Sequence, residues 1–266
     1  MATVKDIFIY LDKKAPFRYQ ADFDNAGFLA GHGAQIVDRV LVALDITPRT
    51  IQEAAEKNCQ LIVAHHPVIW GQIGQVTDET TTGQNLLALI ERGIAAICAH
   101  TNLDAVEGGV NTALAARLGL QDTVPLEEEG IDENGVPYGV GRVGTLPVSR
   151  PMALADFAAL LKNALDLEGV RVLDAGVPVC KVAVGGGACG SMLPLVKAMG
   201  CDTFVTSDLK HDLYLEARAR GVNLLDAGHY STETVVCPVL ADWLREGFPG
   251  LAVMVSETQG EVFAYF

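Results

Sequence analysis

The stretch from Arg39 to His66 limits the folds open to this chain more than any other. Arg39–Leu44 is a short run rich in Val and Leu that reads as a strand, with Asp45 at its end. Thr47-Pro48 then has the form of a helix start. Its hydroxyl can cap the first amides, and a proline is tolerated at the first helical position because its missing N–H has no partner there anyway. The helix extends to about Lys57, and Gln60–Ala64 is a second apolar run that reads as a buried strand. Two strands joined by a helix imply a parallel pair with a right-handed crossover. The fold class is therefore α/β, with ligands expected beyond the carboxyl ends of the strands. At that edge stand His65, His66 and Pro67. Pro67 biases His66 toward extended backbone, so the two neighbouring imidazoles diverge and can face two different ions. The plainer alternative is a hydrogen-bonded histidine pair capping the sheet.

The same pattern recurs along the chain. Gln84–Arg92 reads as a helix stopped by Gly93, and Ile94–Ala99 as a strand ending in His100-Thr101-Asn102-Leu103-Asp104. Asn111–Leu118 is a further helix behind Gly108-Gly109. Val222–Asp226 is a buried strand that ends in Gly228-His229-Tyr230-Ser231-Thr232-Glu233, with residues 231–245 helical and Pro238 marking a kink or a restart. His229 and Glu233 are four residues apart, so a helical turn puts them on one side. Four imidazoles and two carboxylates then gather at three strand ends. One tetrahedral metal needs fewer; the set suits two cations sharing a carboxylate at ~3.5–4 Å separation. Nitrogen and oxygen donors without thiolate point to Zn, Mn, Fe, Co or Ni, and away from Ca or an iron–sulfur cluster. His100 and Asn102 can ligate, orient a ligand or carry protons, and His100 is the candidate catalytic residue, as a proton carrier.

Elsewhere the sequence is plainer. Thr3 with Asp6 three residues on, ahead of Ile7, Phe8 and Leu11, reads as a capped amphipathic helix and not as a signal peptide. Asp24-Asn25-Ala26-Gly27 suits a tight turn, and Trp70–Thr82 a loop over the site. Gln121–Pro137, with Glu127, Glu128, Glu129, Asp132 and Glu133, reads as a solvated loop and as the boundary between an N-terminal lobe (1–125) and a C-terminal lobe (126–266). Gly139–Leu146 is a strand, Ser149 and Pro151 start a helix, and Arg171–Leu173 is a short strand. Cys180–Val184 is a strand entering Gly185-Gly186-Gly187-Ala188-Cys189-Gly190. That run satisfies G-x-G-x-x-G, but it comes late in the chain and Pro194 sits in the helix behind it. A tight backbone turn outweighs a dinucleotide fingerprint, with phosphate binding by its amides a middle option. His211 reads as a surface histidine, and Leu251–Val255 and Val262–Phe266 as closing strands.

A net charge of -14 leaves no basic field for a nucleic-acid duplex. The six cysteines are scattered, without a C-x-x-C pair, as in a reducing compartment. No apolar run approaches the length of a membrane span, so the expected setting is cytoplasmic.

His65-His66-Pro67, His100-Thr101-Asn102-Leu103-Asp104 and Gly228-His229-Tyr230-Ser231-Thr232-Glu233 resemble the three signatures of the NIF-three-like dinuclear metal centre family, whose members are often called GTP cyclohydrolase type 2 homologues. Asp24-Asn25-Ala26-Gly27 and Gly108-Gly109-Val110-Asn111 are similar to two further motifs of that family. The resemblance spans nearly the whole chain and implies two α/β lobes with mixed sheets and a pair of metals in the cleft between them. It implies that His66 and Asp104 bind one ion, His65 and His229 the other, and that Glu233 bridges. It also implies a homohexameric ring built from dimers. The activity it suggests is metal-dependent hydrolysis of a nucleotide or related small molecule, GTP cyclohydrolase-like. The alternative is a metal carrier or insertase whose partner is a metal client. This chain has Thr206-Ser207-Asp208 where the family usually has Thr-Gly-Asp, and it looks compact, without the inserted middle domain of longer members.

Overall fold

A computed structural model describes residues 1–147 and 151–264. The first part of the chain runs β1 (Ala2–Thr3), α1 (Val4–Lys14), β2 (Gly27–Ala30), β3 (Ile36–Val37), β4 (Arg39–Ala43), α2 (Pro48–Glu56), β5 (Leu61–Ala64), α3 (Thr81–Glu91), β6 (Ala95–Cys98) and α4 (Thr101–Ala105). It continues through α5 (Val110–Arg117), β7 (Gln121–Ile131), β8 (Pro137–Thr145), α6 (Leu154–Leu165), β9 (Arg171–Leu173), β10 (Lys181–Val184), α7 (Leu193–Ala198), β11 (Thr203–Thr206), α8 (His211–Arg220), β12 (Asn223–Asp226) and α9 (His229–Glu233). It closes with α10 (Val236–Gly247) and β13 (Ala252–Val255). Two compact units result: residues 1–103 with 237–260, and residues 104–236 with 261–266.

The first unit is built on a five-stranded sheet of order β13-β4-β5-β6-β2. β13, β4, β5 and β6 are parallel, and β2 is antiparallel to β6. β4–α2–β5 is the crossover expected from the sequence, with Thr47 capping the Thr50 amide and Pro48 in the first turn. Each central strand is buried on both faces, as parallel strands covered by helices are. Leu41, Ile51, Ile62, Leu86 and Leu89 fill one side of the sheet. The N-terminal capping box is present: Thr3 and Asp6 exchange hydrogen bonds at the start of α1.

The second unit is built on a six-stranded mixed sheet, β7-β8-β10-β11-β12-β9. β10, β11 and β12 are parallel, and the outer pairings are antiparallel. Phe157, Leu161 and Val182 pack on one face; Leu193, Val196 and Phe204 pack on the other. Arg142 of β8 is fully buried and donates to the carbonyls of Gly139, Gly141, Ala105 and Val106.

Several expectations change. Gln121–Ile131 is no solvated loop: it is edge strand β7, paired with β8 over a long hairpin. Its glutamates lie on an edge where charge blocks further pairing, so the strand lacks the apolar signature that marks buried ones. The chain passes between the two compact units at 103/104, 236/237 and 260/261. α3 begins at Thr81, capped by Thr80, earlier than the loop reading allowed. The helix expected from Pro151 begins at Leu154, after the Met152 backbone has bridged to Val179; Ser149 lies outside the described residues. Residues 262–264 are not strand, and the last two residues of that expected strand lie outside the described ones. α9 and α10 are separate helices, so Pro238 marks a restart, in the first turn of α10.

Candidate metal centre

β5 ends at Ala64, but the ladder goes on: the His65 amide donates to Ala43 O and the His66 amide to Leu44 O. This fixes the backbone of the pair at the carboxyl end of the parallel sheet. His100 follows the neighbouring strand β6, and His65, His66 and His100 offer one ligand atom each, all within 4.8 Å of one another. Each of the three rings is anchored through Nδ1. His65 Nδ1 lies 2.9 Å from Ala99 O, His66 Nδ1 2.7 Å from Asp45 Oδ1, and His100 Nδ1 2.8 Å from Asp24 Oδ1. A carbonyl or carboxylate can only accept, so Nδ1 carries the proton and Nε2 is the lone-pair nitrogen of the neutral ring. That is the arrangement of histidines that ligate metal, whose other nitrogen donates to a carboxylate or carbonyl.

The second unit repeats the device. Gly228, at φ +80°, turns the chain from β12 into α9. His229 Nδ1 lies 2.6 Å from Asp208 Oδ2, and His229 Nε2 lies 3.0 Å from Glu233 Oε2, the same-side pairing expected for residues four apart. Glu233 is 4% exposed. The glycine turn after β10 explains how a carboxylate is accommodated there. A side chain at Gly187 (φ +63°) would place its Cβ 2.1 Å from Glu233 Oε1, and one at Gly186 would place it 2.8 Å from Val110 Cγ1. The amides of this turn are turned inward: Gly185 donates to Val205 O, Gly186 to Asn111 Oδ1, Gly187 to Thr232 Oγ1 and Cys189 to Thr206 Oγ1. These four amides are committed within the fold, so the run serves as the tight backbone turn expected of it. The glycines make a cradle for Glu233.

Burial first, then the carboxylates of Asp104 and Glu233, push the Cys189 thiol up to about 12. The Asp104 and Glu233 carboxylates thus share one electrostatic neighbourhood around that thiol. Asp104 sits on α4, its carbonyl held by Asn111 Nδ2. Asp24 is raised by burial, but the hydrogen bonds from His100 and Thr101 outweigh this and bring it to about 2. The residues therefore fit transition-metal binding on two counts: anchored imidazoles with carboxylates, and a glycine cradle shaped for one of those carboxylates.

Sequence reasoning found the imidazoles and missed their anchors. Asp45 was visible at a strand end, Asp208 just past one, and Asp24 passed for a turn residue. Each is an aspartate beside a strand terminus, but its histidine is 21 to 76 positions away. His211 is exposed, as expected. Ser207 is buried, and its hydroxyl has no hydrogen-bond partner among the described residues.

A sequence profile of the DUF34/NIF3 (NGG1p interacting factor 3) family matches residues 2–261. The chain belongs to the DUF34/NIF3 family. A Streptomyces coelicolor relative named GTP cyclohydrolase 1 type 2 homolog is 36% identical over 250 residues, covering 92% of this chain and 87% of that protein. Among solved structures, a hypothetical protein of Staphylococcus aureus superposes with a TM-score of 0.91 at 29% identity, covering 99% of each chain. A Bacillus cereus protein related to NIF3 superposes at 0.92, at 22% identity, covering 100% of this chain and 99% of that one. The mixed α/β architecture is thus that of the NIF3 fold. Among the described residues no helix is long and apolar enough to cross a membrane.

Proposed function

We propose that this NIF3 protein is a metal-dependent hydrolase acting on a nucleotide or related small molecule, with two divalent transition-metal ions held by His65, His66, Asp104, His229 and Glu233. The observation that carries the reading is that the imidazoles of His65, His66, His229 and the neighbouring His100 all present Nε2, because a carbonyl or aspartate holds Nδ1. The family resemblance supports His66 and Asp104 for one ion, His65 and His229 for the other, and Glu233 shared between them. Such ions supply Lewis acidity and lower the pKa of water at neutral pH. The chain's own part is to hold donors in place and to move protons. His100, with Nδ1 on the buried carboxylate of Asp24, can take and return a proton at Nε2. The name carried by relatives supports the nucleotide class. The cytoplasmic setting and the homohexamer belong to the same proposal; light scattering should give six times the 28.2 kDa chain mass.

The test is elemental analysis and anomalous scattering on protein purified without a histidine tag, then assay of the loaded protein on GTP, phosphoesters and cyclic amides. Two ions per chain and turnover of one substrate class are expected, with His66→Ala and Glu233→Gln losing metal. Protein that retains no transition metal, or turns over nothing in the panel, refutes the hydrolase. A second reading, a metal carrier, draws on the 39% exposure of the His229 side chain, which suits ligand exchange. Transfer of metal to an apo-protein client without substrate consumption would decide for it.

A further inference from the structure

Four aromatic rings run outward from the interior of the first unit. His65 is fully buried, and its ring centroid lies 5.0 Å from that of His66 and 5.1 Å from that of His100. Trp70 comes last: its centroid is 5.1 Å from that of His100, with the rings at 86°. The contact is edge to face, and the indole remains 55% exposed. The chain therefore leaves a large flat apolar surface in water beside three anchored imidazoles.

That placement is braced. The Asn25 side-chain amide donates to Ile69 O at 2.9 Å, which fixes the backbone immediately before Trp70. The preceding residue, Asp24, accepts from His100 Nδ1 and from the backbone and hydroxyl of Thr101, and its Oδ1 also accepts the Asn25 amide N–H at 2.7 Å. The Asp24-Asn25 pair, expected as a turn and as part of a motif similar to the family's, thus ties the orientation of His100 to the position of Trp70.

We propose that Trp70 is a stacking wall for the ligand of the histidine cluster, and that this ligand carries a planar heteroaromatic ring. The proposal rests on the functional reading above for the site and adds the class of group the site recognises. An exposed indole offers a π face that any heteroaromatic base can cover. The histidine side of the same cluster is left to the polar part of the molecule.

Trp243→Phe leaves Trp70 as the sole indole, since the chain has two tryptophans. Its emission is titrated with GMP, AMP and ribose 5-phosphate, and calorimetry on wild type, Trp70→Ala and Trp70→Phe gives affinities, with metal content measured on the same samples. The nucleotides should quench Trp70 and bind on the order of tenfold to a hundredfold tighter than ribose 5-phosphate. Trp70→Ala should erase that preference at unchanged metal content, and Trp70→Phe should keep most of it. Equal affinity for ring-bearing and ringless compounds, a preference that survives Trp70→Ala, or an emission change that follows protein concentration alone, as burial by a second copy would give, overturns the wall. Protein without metal that still prefers rings through Trp70 would sink the metal reading and leave the wall standing. Protein that holds metal but shows no preference would do the reverse.

Discussion

Glu53, on α2, fastens the 256–258 segment that follows β13 within the first unit. Its carboxylate is 4% exposed and accepts from Lys57 Nζ at 2.7 Å, the Glu257 amide at 2.9 Å, Thr258 Oγ1 at 2.8 Å and the Ser256 hydroxyl. Burial alone would raise its pKa; the hydrogen bonds from Lys57 and from the 256–258 segment outweigh that and bring it from 4.5 to about 2. A folded-state pKa below the unfolded one contributes stability that is fully present above about pH 4.5 and is lost as pH falls toward 2. At 1.36 kcal/mol per pH unit the contribution is about 3 kcal/mol at pH 7 and roughly half that at pH 3. Glu53→Gln removes the charge while keeping the shape. Denaturant unfolding followed by circular dichroism, on both proteins at pH 7 and pH 3, should show the gap between them narrowing by about 1–2 kcal/mol at the lower pH. An amide that cannot accept every one of these donors adds a loss that does not depend on pH, so the narrowing is the diagnostic quantity. A gap of the same size at both pH values would refute the assignment of a charged, hydrogen-bonded carboxylate at this position.

Other substitutions probe the second unit. Arg142→Met strips the donors from four buried carbonyls and should destabilise by roughly 3–5 kcal/mol, read from denaturant midpoints; a loss under about 1 kcal/mol would mean the carbonyls find other partners. Gly187→Ala combines a left-handed φ with a Cβ 2.1 Å from Glu233 Oε1, so Glu233 must move. Elemental analysis should show metal lost from a protein that still melts cooperatively, and unchanged metal content would count against the cradle. Ser207→Ala removes a buried hydroxyl that has no partner among the described residues and should raise stability by about 1 kcal/mol. A fall in melting temperature would show that the hydroxyl is used.

The parts of the fold that the sequence disclosed are those where burial is two-sided. β4, β5 and β6 are continuous apolar runs because helices cover both faces of the sheet, and Thr47-Pro48 states its cap in two letters. β7 was hidden because an edge strand with glutamates carries no such run. At the metal centre the imidazoles were visible as histidines at strand ends. Asp24, Asp45 and Asp208 were not, since what makes them anchors is a hydrogen bond across tens of residues and not any local pattern. The glycine run was legible as a turn, yet its purpose depended on Glu233 packing against Gly187, a contact between segments 46 positions apart.

The first unit takes its last strand from the far end of the chain: β13 completes the sheet beside β4, and the 256–258 segment supplies the partners of Glu53. A nascent polypeptide on the ribosome must therefore make residues 104–236 of the second unit before the first can close. Until then β4 has a bare edge and Glu53 lacks its Ser256, Glu257 and Thr258 partners. A chain cut short before residue 252 should fail as a folded protein even though most of both sheets has been translated, and the window between those two events is when this molecule is most exposed to chaperones and proteases.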